Sequence, residues 1–126
     1  MDTVIVAYQE PASASVQEGK FLQLRWQGHQ YLLFAPLALY RYHNQLLARF
    51  LCDHDLACQW TSPEHLQINT PDVEVLGGGR FRVDPAAGTL DLWDDSHAYG
   101  RFRQADLEAG IAAADHSWSG FRITIA

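Results

Sequence analysis

The chain reads as a single α/β (α+β) domain, a mixed β-sheet of about six strands with two helices. Three observations predict this. Its 126 residues suffice to bury one core, and no Pro-, Gly- or Ser-rich linker or internal repeat divides them. Apolar residues alternate in short runs from the first residues to the last, the period of half-buried strands. Two longer stretches carry the helical period instead and are interleaved with the strands, which points to a mixed sheet.

Taken in order, residues 2–8 form a first strand with Val4 and Val6 on one face and Ile5 and Ala7 on the other. Residues 10–15 are a loop by composition. Residues 20–26 form a strand with Leu22, Leu24 and Trp26 sharing a face, and Gly28-His29 turns the chain into a partner at 30–34. Leu46, Leu47, Phe50 and Leu51 then make one buried helical stripe. Asp53 and Asp55 oppose the helix dipole and predict its end. Residues 61–71, with two prolines, are a connecting excursion without an assigned element. Val73 and Val75 alternate into Leu76-Gly77-Gly78-Gly79-Arg80, and Phe81 and Val83 alternate out of it. Residues 84–88 are a turn, and 90–93 return as the partner strand. Residues 104–114 are helical, with Leu107, Ile111 and Ala114 on one face, and 121–125 close the chain as a strand.

Composition excludes several classes. A net charge of −6 argues against a nucleic-acid partner. Any anion site must therefore concentrate its few basic residues locally, against the field of the whole molecule. No apolar run approaches the roughly 20 residues of a membrane helix. The N-terminus lacks a basic region and is broken by Glu10-Pro11, a poor signal peptide, so a cytoplasmic protein is expected. Two cysteines do not make a disulfide scaffold.

Four segments carry candidate chemistry. Lys20 stands in phase with Leu22 and Leu24, as a snorkelling strand end or as an ammonium reaching a pocket at the sheet edge. Tyr42-His43-Asn44 falls at the start of the first helix, where free N–H groups and the dipole favour an anion and where a histidine can trade a proton near neutral pH. Asn44 is either the helix cap or part of that site. The three glycines before Arg80 mark a bulge or a close backbone approach, and Arg80 is a surface residue or a fork for phosphate oxygens. Without a following lysine and Ser/Thr the run is no nucleotide P-loop. Ser96-His97-Ala98-Tyr99-Gly100 follows a strand and two aspartates. Counting in twos puts Ser96 and Ala98 on the face of Leu90 and Leu92 if no bulge intervenes, and a plain turn is the other reading.

Together these segments resemble the Janus/Ocnus family, the small phosphohistidine phosphatases of about 14 kDa. The resemblance runs from Lys20 to the C-terminus. Its specific part is the pair Leu76-Gly77-Gly78-Gly79-Arg80 and Ser96-His97-Ala98-Tyr99-Gly100, one hairpin apart, with Lys20 and Tyr42-His43 upstream in family order. It implies a mixed sheet with a helix on each side and metal-independent hydrolysis of phosphohistidine in a protein, a peptide or a small phosphorylated substrate. His43 matches the catalytic histidine, as general base or as nucleophile. Lys20, Arg80, Ser96 and Ala98 match the phosphate site, to which Asn44 is added by its place at the helix start. No cofactor, metal, nucleic acid or membrane is implied. Two departures stand out: a longer segment at 55–71 than the family's, and the negative pair Asp94-Asp95 just before Ser96.

Three rivals are weaker. A non-catalytic phosphate-binding regulatory module would use the same pocket. A zinc protein built on the Cys52–Cys58 stretch lacks paired ligand knuckles. A serine hydrolase on Ser96 lacks the Gly-x-Ser-x-Gly elbow.

Overall fold

A strand buried on both faces needs apolar side chains at successive positions, and Phe21-Leu22 with Leu24 supplies them at the centre of β2 (Gln17–Trp26). The computed structural model describes residues 2–126. Around β2 the chain forms β1 (Asp2–Ala7), β3 (His29–Pro36), α1 (His43–Asp53), β4 (Cys58–Ser62), β5 (His65–Ile68), β6 (Glu74–Asp84), β7 (Thr89–Trp93), α2 (Leu107–Ala113) and β8 (Arg122–Ile125). Six strands make one sheet in the order β1-β3-β2-β6-β7-β8, parallel at β1/β3 and β7/β8 and antiparallel elsewhere. The expected mixed α+β fold is the fold observed.

Alternation along the strands sorts the core into two layers. On one face Phe21, Leu32, Phe34, Phe81, Leu90 and Leu92 pack beneath Leu107 and Ile111 of α2 and beneath Trp118. On the other, Leu22, Leu24, Leu33 and Ala35 meet Leu46, Leu47, Phe50 and Leu51 of α1. Those four helical side chains are fully buried. Each contributes roughly 1.5–3 kcal/mol. That far outweighs the few tenths to about 1 kcal/mol that an acidic residue costs at a helix C-terminus. α1 does end where Asp53 and Asp55 suggest, with Asp53 held by Arg49 at 3.0 Å and Asp55 turned into positive φ.

The differences from the sequence reading are local. The β2–β3 turn centres on Gln27 and Gly28, both at positive φ, one residue earlier than expected. The segment 61–71, left without an element, contains most of a second, two-stranded sheet made by β4 and β5. α2 is shorter than 104–114, because Asp106 adopts a left-handed φ of 59° and the helix begins only after it. Among the described residues no helix is long and apolar enough to cross a membrane.

Candidate functional site

α1 begins at His43 because Tyr42 is extended, and Gln45 reaches back so that its Oε1 accepts from the N–H groups of Arg41 (2.8 Å) and Tyr42 (3.0 Å). Tyr42, not Asn44, is the N-cap. This entry drops the His43 ring, only 4% exposed, onto the glycine run of β6. A Cβ on Gly78 would lie 2.7 Å from Cδ2 and 2.9 Å from Nε2 of that ring, so only glycine lets the imidazole sit there. Gly77, at φ 149°, follows Leu76, the residue left unpaired at the bulge where the β2–β6 register shifts. The bulge lets residues 100–102 come alongside: Gly78 donates to the Gly100 carbonyl and accepts from the Phe102 N–H.

His43 Nε2 lies 3.0 Å from the Gly79 carbonyl oxygen. A carbonyl only accepts, so the proton of the neutral ring is on Nε2 and the lone pair is on Nδ1. Nδ1 has no partner among the described residues and is not sealed from solvent. Burial lowers the His43 pKa from its ordinary 6.5, and the nearby Lys20 ammonium lowers it further. The Gly79 and Phe21 carbonyls and Asp94 pull the other way without reversing the shift. The resting side chain is therefore a neutral imidazole with a free nitrogen lone pair.

His43 lines a cleft of about 740 Å³. Lys20, Tyr42, Asn44 and Gln45 line it beside His43, and Ser96, His97 and Ala98 form a second wall. The second wall is a tight loop. Ser96 and Gly100 exchange backbone hydrogen bonds (3.0 and 2.8 Å), and the Ser96 Oγ accepts from the Tyr99 N–H at 3.1 Å. With the loop closed this way, the N–H groups of His97 and Ala98 have no acceptor among the described residues. The same is true of His43 and Asn44 in the first helical turn. Four residues with unbonded N–H groups and one ammonium thus line the same cleft as the His43 ring, a set of donors suited to an oxyanion.

Five of the six residues picked from the sequence line this cleft: His43, Lys20, Asn44, Ser96 and Ala98. Their routes differ in part from expectation. Ser96 is not carried there by strand alternation, because β7 ends at Trp93 and Asp94 turns to φ 70°. Asn44 spends its side-chain amide on the Glu64 carbonyl at 3.0 Å, tying the β4–β5 hairpin to α1. Arg80 does not line the cleft. It stands opposite Lys20 in the β2–β6 register, where like charges repel, and its guanidinium lies over the Trp93 ring, 5.6 Å from the centroid. Lys20 leans instead over Tyr42, 5.8 Å from its centroid, at the cleft. Asp94 and Asp95 are exposed and do not line it.

The sequence reading missed the hairpin tip, since Trp60, Pro63, Glu64 and His65 also line the cleft. The alternation of Leu66 and Ile68 was the available signal. Cys52 and Cys58 are free thiols, and among the described residues no three His, Cys, Asp or Glu side chains are grouped to hold a metal.

No family model matches the chain, and no curated protein matches it.

Proposed function

We propose that the cleft binds a phosphoryl group and removes it from nitrogen, making the protein a metal-independent phosphohistidine phosphatase. The observation that carries this reading is the neutral His43 with Nδ1 unpaired beside Lys20 and the free N–H groups of the 97–98 loop. A phosphoramidate bond is already labile, so positioning and charge neutralisation supply most of what catalysis needs. Lys20 and the loop N–H groups hold the equatorial oxygens as charge gathers on them.

Two routes balance. In one, Nδ1 takes a proton from water as the O–P bond forms; the P–N bond breaks with its electron pair on the departing imidazole nitrogen, which receives that proton. In the other, the Nδ1 lone pair bonds to phosphorus as the substrate P–N bond breaks with its electron pair on the departing imidazole, which takes a proton from solvent. Water then adds to phosphorus, the new P–N electron pair returns to Nδ1, and the surplus proton of that water goes to solvent. The Janus/Ocnus resemblance implies the same reaction. The substrate is a phosphohistidine-bearing protein or a small phosphorylated compound. We assign the reaction to the cytoplasm, where two unpaired thiols persist.

The test is phosphate release from a phosphohistidine peptide by the wild-type protein and His43→Ala. Release by the wild type and a loss of at least about 100-fold in the variant is the expected result. Saturable phosphate binding without turnover would replace the reading with a non-catalytic binding module, and full activity in the variant would remove His43 from the chemistry. Acid-labile but alkali-stable label on His43 after rapid quenching identifies the nucleophilic route.

A further inference from the structure

A cleft of about 740 Å³ lies within the roughly 300–1,000 Å³ range of sites that enclose whole organic ligands, so a phosphoryl group alone leaves much of it empty. The remaining wall is the tip of the β4–β5 hairpin, and the register shows how it is aimed. Cys58 pairs with Ile68 and Trp60 with Leu66, so the four side chains share one face of the hairpin. Cys58, Leu66 and Ile68 pack against the α1 core, which makes that face the inward one. Trp60 is on the same inward face yet remains 44% exposed. Where its neighbours meet the core, Trp60 meets the cleft. An inward tryptophan that is half exposed and belongs to neither core cluster offers an aromatic surface to a flat partner.

Two further features narrow that partner. Asn44, next to His43 in the chain, donates to the Glu64 carbonyl at 3.0 Å, which fixes the hairpin tip to the helix start. Glu64 itself lines the cleft and makes no ion pair among the described residues. An unpaired carboxylate repels a second phosphate and suits a neutral or cationic group.

We propose that Trp60 is the leaving-group subsite, stacking the flat, neutral or cationic nitrogen-bearing group from which the phosphoryl is taken, with Glu64 disfavouring polyphosphates. The leaving-group role rests on the phosphatase reading, whereas the binding preference rests on the hairpin alone, so the two fail separately.

The experiment compares phenylphosphonate with methylphosphonate by calorimetry: the same anionic head, with and without a ring. The wild type binds the phenyl compound about 10-fold more tightly, the size of one stacked aromatic contact. Trp60→Ala abolishes the preference while leaving methylphosphonate affinity unchanged, and Trp60→Phe retains most of it, both with an unaltered melting temperature. Equal binding of the two compounds by the wild type, binding of neither, or a preference untouched in Trp60→Ala overturns the subsite. An intact preference without phosphate release from a phosphohistidine peptide overturns the phosphatase reading alone.

Discussion

The Nε2 atom of His43 lies 3.0 Å from the carbonyl oxygen of Gly79, a contact between residues 36 apart that depends on Gly78 having no side chain. Through it the glycine run, unremarkable as a strand, becomes the bed of an imidazole. The carbonyl holds the proton on one nitrogen, and the ring's other nitrogen is left for chemistry. Lys20 adds a charge that favours the neutral ring and an anion next to it.

The first prediction concerns pH. Burial and Lys20 depress the His43 pKa, so the ring stays neutral to a lower pH than an ordinary histidine at 6.5. The acid limb of kcat/KM should therefore fall below 6.5, and in Lys20→Met it should move upward. The unfolded chain takes up its proton before the native one, so the His43 contribution to stability is present above 6.5. It declines as pH falls through the lower native value. An NMR titration of the His43 ring, with melting curves across the same range, checks both; a limb above 6.5 would refute the assignment.

A second prediction isolates the glycine run. In Gly78→Ala the new Cβ meets the His43 ring at 2.7 Å and the Phe21 carbonyl oxygen at 2.8 Å, so the ring or the strand must shift. A loss of about 1–3 kcal/mol in unfolding free energy is expected, with loss of phosphate release. Gly120→Ala is the control, because nothing lies within 4 Å of its Cβ and its φ is not positive. It should stay within about 0.5 kcal/mol of wild type. Denaturant titration of the two variants provides the comparison, and equal stabilities would show that the ring does not rest on Gly78.

The third prediction ranks the two cations that the sequence could not separate. Lys20→Ala should weaken phosphate binding about 10-fold or more, since the ammonium borders the cleft. Arg80→Ala should change it less than about 3-fold, because that guanidinium is stacked on Trp93 outside the lining. Phosphate titrations of both variants decide it, and the reverse order would place Arg80 in the site.

Much of this was legible before the fold. The alternation of Leu22, Leu24 and Trp26 and the stripe Leu46-Leu47-Phe50-Leu51 are one-dimensional patterns whose period states the element and its buried face. Tyr42-His43 at a helix start and three glycines in a strand were readable as exceptions to those periods, and exceptions mark sites.

The sequence by itself determined that there would be a mixed sheet with two helices, that His43 would stand at a helix mouth and that the glycines marked a bulge or a close approach. Tertiary structure alone decided what approaches them. Nothing local says that the His43 ring, rather than a loop, fills the space above Gly78, or that Arg80 turns to Trp93 while Lys20 turns to the cleft. Nor does it say that Trp60, on a hairpin that turns at Pro63-Glu64, lines the cleft. The physical reason is that a period specifies which way a side chain points relative to its own strand or helix. What it meets there depends on the packing of segments distant in the chain, 36 residues for His43 and Gly79, and that is settled only when the whole core is assembled.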